Sequence, residues 1–262
     1  MALMPAPFVD ATQPRGLRYG LLTAASGPLD LPPKAVVSGV RFDPRSCGGA
    51  HTYPISCPTD DPDEKIFDPA DATIEADTFA VYATYECSRV GRSASQLEER
   101  VRRRLTNGEQ LAAETGMADV LAAGAVPLTA PDDTNLRSVV GELEEWLYGS
   151  AGAAYGNIGF LHAPIRWAVH FADHGLLQRI GPVWTTNLGT IVVFGGGYPD
   201  DGIIYISGSV TVWRSPDVNV PPAEETWDRE TNTFHLLAER EYAVAYDCVA
   251  ASAGFAPEVT IS

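Results

Sequence analysis

One stretch constrains this chain more than any other: residues 93–114, SASQLEERVRRRLTNGEQLAAE. Ser95 followed three residues later by Glu98 predicts a capping box at a helix start. Leu97, Val101, Leu105 and Leu111 with Ala112 recur near the 3.6-residue period and predict one apolar face. Glu98–Arg102 and Glu99–Arg103 are i,i+4 pairs in the favourable order. A helix of about 20 residues would span about 30 Å. Its other face is so polar that Arg100, Arg103 and Arg104 must point at water or at another chain. In isolation that face reads as solvated surface.

At 262 residues the chain has room for one large domain or two small ones. A formal net charge of −16 argues against a DNA-reading surface. Among the basic residues only Lys34 and Lys65 are lysines; the rest are arginines, which suits carboxylate pairing between acidic copies, or equally a GC-rich genome. The N-terminal segment MALMPAPFVDATQPRG lacks the basic and apolar regions of a signal peptide. No apolar run approaches the length of a membrane helix. Cys87 and Cys248 fall in apolar strand-like stretches and read as small buried residues. Cys47 and Cys57 sit in a Gly/Pro/Ser/Thr-rich segment; a loop disulfide between them is open, with free thiols the default for a cytosolic product.

Residues 1–36 carry six prolines and no sustained period, which suits an extended arm. Residues 35–42 and 78–87 read as strands flanking a long polar excursion, a protruding hairpin. Beyond the opening helix, residues 135–148 predict a second helix with Leu136, Val139, Val140, Leu143 and Leu147 on one face. Pro164 suits the first turn of a third helix ending near His174 and Gly175. Strands are expected at 190–194, 202–206, 209–214, 233–237 and 241–248. Strands, then helices, then strands make the class α+β.

Little of this suggests chemistry. His170 and His174 are an i,i+4 pair with Asp173 beside them, and His162 could supply a third metal ligand. Phe171 stands where an HEXXH motif needs Glu, so solvent-facing or capping histidines are the blander reading. Gly195, Gly196 and Gly197 follow a strand but lead into another strand, so a glycine-rich hairpin fits better than a phosphate loop. No Ser lies in a GxSxG context. The expectation is a protein without catalytic residues, cofactor or metal.

The last third, from HGLLQRIGPVWTTNLGTIVVFGGGYPDD to ETNTFHLLAEREYAVAYDC, resembles the closing half of tailed-bacteriophage major capsid proteins of the Hong Kong 97 type, a fold shared with encapsulins. Asn232, Ala238, Arg240 and Val244 fall loosely on that family's final-strand pattern, and the whole is similar to head proteins of actinobacterial phages. The resemblance implies an N-terminal arm (1–36), an extended loop hairpin (37–92), a spine helix with peripheral domain (93–129), an axial domain (130–207) and peripheral return strands (208–262). It implies a subunit of an icosahedral head shell around double-stranded DNA, residing in the virion and assembled in the host cytoplasm. Partners would be copies of itself in pentamers and hexamers, portal, scaffolding or cement proteins, and packaged DNA as a weak non-specific contact, with no membrane. Arg100, Arg103 and Arg104 become the candidate inter-subunit contacts. With nothing but residues 1–92 ahead of the helix, no large fused scaffolding domain is expected. Lys34 and Lys65 as the only lysines lend no support to Lys–Asn cross-linking. The alternatives are a tail-tube or head–tail joining protein, or a small metal-dependent hydrolase using His162, His170, His174 and Asp173.

Overall fold

The computed structural model describes residues 18–25, 27–45, 47–48, 50–52, 65, 67, 71–88 and 93–256. In chain order the elements begin with α1 (Leu21–Ala24), β1 (Leu29–Asp30), α2 (Ala35–Ser38), β2 (Val40–Phe42), β3 (Ile74–Ala76) and β4 (Thr78–Ser88). Then come α3 (Ala94–Gly124), β5 (Val126–Leu128), α4 (Leu136–Tyr148), β6 (Phe160–Pro164), α5 (Trp167–Asp173), β7 (Gln178–Ile180) and β8 (Val183–Thr185). The chain closes with β9 (Ile191–Gly195), β10 (Ile203–Ser207), β11 (Val210–Arg214), β12 (Trp227–Asp228), β13 (Thr233–Tyr246) and β14 (Ala250–Gly254).

Helix α3 is the long element, 31 residues and so about 46 Å. Its N-cap is Ser93, whose hydroxyl accepts from Gln96 N while Gln96 Oε1 accepts from Ser93 N. The expected Ser95–Glu98 box does not form, because Glu98 accepts from Ala223 N instead, at 3.0 Å. Leu97, Val101 and Leu105 are buried as expected, but Leu111 is half exposed. The stripe continues in steps near four residues through Glu109, Gln110, Ala113, Glu114, Met117 and Leu121, and Leu111 lies off it. The helix also runs on past residue 114, through a segment whose composition reads as irregular.

Alongside α3 lies a sheet centred on β13. Along one edge β13 pairs antiparallel with β4 from Thr233↔Ser88 to Ala243↔Thr78. Along the other it pairs with β12 and β11, and β11 pairs in parallel with β1. Two strands expected at 233–237 and 241–248 are thus one continuous strand. Phe79, Val81, Ala83, Tyr85 and Cys87 alternate inward against α3, as period two requires.

The second sheet runs β5-β14-β10-β6-β9-β8-β7. Alternate residues feed two cores: Leu161, Ala163, Val192, Phe194, Ile204 and Ile206 pack under α4 and α5, whereas Phe160, Val193 and Tyr205 face the α3 core. A sheet buried on both faces explains the near-continuous apolar runs in β6, β9 and β10. Pro164 closes β6 rather than opening α5. Helix α4 carries its apolar face as expected, but Asn135, the first residue of the expected span, is its cap rather than part of the helix.

Other expectations change. Residues 35–38 form the helical turn α2, stopped at Gly39 with φ +71°, so only Val40–Phe42 is strand. This strand pairs antiparallel with β3, giving the hairpin its base. The glycines after β9 make no hairpin, since β6 lies between β9 and β10. They cross over against α3: a Cβ on Gly197 would come within 2.5 Å of Leu111 O and Thr115 N.

Candidate assembly interface

Polar groups buried along α3 join the parts of the molecule. Glu109 is 2% exposed and meets Arg240 of β13 at 2.9 Å and Arg214 of β11 at 3.4 Å. Glu114 is fully buried; its carboxylate takes Arg18 at 2.7 Å and accepts from Gly197 N and Leu21 N. Tyr19 adds bonds to Val192 O and Trp184 N. Leu21, Leu22 and Ala24 enter the α3 core. Residues 18–24 of the expected arm are therefore stitched to their own chain at the joint between α3 and the second sheet, and Leu29–Asp30 are stitched to β11 of the first sheet.

The three candidate arginines are placed differently from one another. Arg104 donates to Thr84 O at 2.8 Å, and Arg100 donates to Tyr85 OH with its guanidinium 6.0 Å from that ring. Both lean on β4 of their own chain. Arg103 is exposed and pairs only loosely with Glu99, at 3.4 Å. Surface pairs of this kind add little stability, so Arg103 is the arginine of the three least committed to its own chain.

Beside the outer face of α3 an open apolar groove of ≈ 870 Å³ runs along Ile74–Val81, with Leu111, Ala112 and Val120 on the helix wall. Elsewhere Val169 and Leu188 are each 73% exposed, Ile180 58% and Ile165 49%, around α5 and the β7–β9 corner.

The histidines do not gather. His162 lies wholly buried on β6, its Nδ1 2.8 Å from Tyr198 OH and its Nε2 3.1 Å from Ser207 Oγ. Burial pushes its pKa down to about 3. His170 packs against Trp167 at a tilt and meets Phe255 edge-on, and His174 caps α5. Neither ring nitrogen of His162 is left for a metal shared with them. Among the described residues a different trio clusters, Cys47, Asp247 and Cys248, and its two sulfurs are bonded to each other. Cys248 is therefore no simple buried thiol but the partner of Cys47, 201 residues away. Cys57 lies outside the described residues. Sequence spacing carries no signal for a bond between residues so far apart. Cys87, half-buried in β4, is free.

No protein-family profile matches the sequence, and no curated protein does. Solved structures do match over almost the whole length. The capsid of an empty GTA particle superposes with a TM-score of 0.58 at 14% identity, covering 96% of this chain and 95% of that one. A chain from Microbacterium phage Oxtober96 gives 0.57 at 12% identity, covering 98% and 97%. One from Mycobacterium phage Cain gives 0.52 at 12%, covering 99% and 97%. The chain thus has the phage capsid fold of the Hong Kong 97 type, the α+β class that its own residues indicate. No helix among the described residues is long and apolar enough to cross a membrane.

Proposed function

We propose that this protein is the major capsid protein of a tailed bacteriophage, copies of which close into an icosahedral shell around double-stranded DNA. The observation that carries the reading is the correspondence of fold from end to end with a particle-forming capsid chain. Insertion of a catalytic module into a shared fold would leave a long unmatched segment, and coverage on both sides is nearly complete. The exposed apolar residues around α5 and β7–β9, and the groove beside α3, are then surfaces that neighbouring copies cover. In this reading the β13 sheet with α3 is the peripheral lobe, and the second sheet with α4 and α5 is the axial lobe. Contacts with neighbouring copies through the N-terminal arm and the extended loop belong to the same reading; residues 1–17 lie outside the described residues. Many weak contacts repeated around a closed shell add to a stable whole. The acidity of the chain keeps packaged DNA from adhering to the wall. Portal, scaffolding or cement partners follow from the same reading, as does assembly in the host cytoplasm.

Electron microscopy of the recombinant full chain is the test. Closed shells, or rings of five and six subunits, are expected. Open tubes would select a tail-tube protein, and dispersed monomers under all assembly conditions would overturn the reading.

A further inference from the structure

Among the described residues, the ends of the polar excursion between β2 and β3 are joined by a short ladder. The β2–β3 ladder is three residues long on each strand, from Val40↔Ala76 to Phe42↔Ile74. Two short strands of that length are marginal on their own. Just beyond β2 the chain is fastened twice to the turn between β13 and β14. Arg45 N donates to Asp247 Oδ1 at 3.2 Å, and Cys47 is bonded to Cys248 with Cα atoms 5.4 Å apart.

The turn is the rigid half of this attachment. Asp247 is buried, its Oδ2 accepts from Tyr155 OH, its N donates to Ser209 O, and Val249 N donates back to its carbonyl. Cys248 has φ +64°, a left-handed conformation that glycine would hold without cost. A cysteine kept at such a position points to a use for its sulfur.

We infer that Cys47 and Cys248 form an oxidation-dependent clasp that fixes the base of the β2–β3 excursion to the β13–β14 turn. Made in a reducing compartment, the chain carries both as thiols. The oxidant is a low-molecular-weight disulfide such as oxidised glutathione. Either thiolate can open the exchange; in one order the Cys47 thiolate attacks the oxidant, expels one glutathione thiolate and leaves a mixed disulfide. Cys248 loses its proton to water, attacks the Cys47 sulfur and expels the second glutathione thiolate. Two thiols and one small disulfide become one protein disulfide and two small thiols, with two electrons passing to the oxidant. The clasp is a property of the single chain and holds whether or not the chain builds shells.

Lys34 and Lys65 are the only lysines, and Lys65 lies inside the excursion, so a lysine-specific protease reads the clasp directly. Purified full chain is divided between a phosphine reductant and oxidised glutathione, then digested. Peptide mass spectrometry should find Cys47 linked to Cys248, and oxidation should slow cleavage after Lys65 several-fold more than cleavage after Lys34. Cys248→Ser should abolish the difference, while Cys57→Ser should leave it. A Cys47–Cys57 link, or equal cleavage of reduced and oxidised wild-type chain, would overturn the clasp. The reduced-against-oxidised comparison uses the unaltered chain, so it stands even if a variant folds poorly.

Discussion

His162 sits between Tyr198 and Ser207 with one ring nitrogen for each. Ser207 Oγ donates to Gly208 O, so its lone pair receives Nε2–H, and Nδ1 is left to accept from the Tyr198 hydroxyl. Protonating Nδ1 removes that acceptor and places a charge in a fully buried site. The folded pKa of about 3 lies below the ordinary 6.5. The unfolded chain therefore binds the extra proton first as pH falls. The associated stability is whole above about pH 6.5 and is lost progressively down to about pH 3, at about 1.4 kcal/mol per pH unit. His162→Gln should unfold more easily at pH 7. Its urea midpoint should fall less steeply than wild type between pH 6.5 and 4, and parallel slopes would contradict this account. The alkaline side has its own marker, since burial and the Glu109 carboxylate push Tyr242 up to about 12. Its share of stability is whole below about pH 10 and is lost as pH rises through 12.

At the scale of elements, α3 is bound to the β13 sheet by apolar packing and by the Glu109 cluster. Arg240 and Glu109 are both largely buried, and the register Arg240↔Val81 turns Arg240 onto the inner face. Removing Arg240 leaves the buried Glu109 carboxylate with only its longer contact to Arg214. Arg240→Ala should cost about 3 kcal/mol in urea unfolding, the low end of what breaking a buried pair costs. Arg240→Leu combined with Glu109→Leu should cost less than Arg240→Ala alone, because the one charge then left without its partner is Arg214, which is partly exposed to water. A double variant worse than the single one would mean that packing, not charge, sets the value. The helix's true length was hidden for the same reason. Glu109, Gln110 and Glu114 occupy buried positions where a periodicity argument expects apolar residues. The Glu109 and Glu114 carboxylates and Gln110 Nε2 are matched only by groups from other parts of the chain.

For the whole molecule, the proposed shell predicts that neighbouring copies cover the outer face of α3 and the exposed apolar positions. Arg103→Glu alters no buried contact and should leave the thermal unfolding midpoint within a degree or two. It should sharply reduce the yield of closed particles in electron micrographs. Undiminished particle yield would remove Arg103 from the interface. Arg104→Glu is the poorer probe, since it also breaks the bond to Thr84 O.

Much of this architecture is written locally. The alternation in residues 78–88, the apolar face of α4 and the apolar runs of β6, β9 and β10 each follow from side-chain period and burial alone. With the order of strands and helices they are enough to indicate the α+β class and the presence of the long helix. Three features depend on residues far apart: the division of late strands between two sheets, the Glu109–Arg240 pair and the Cys47–Cys248 bond. Local propensity carries no term for any of them. Strand neighbours and buried charge partners are chosen by which distant groups the folded chain brings within reach, and only the tertiary structure sets those distances.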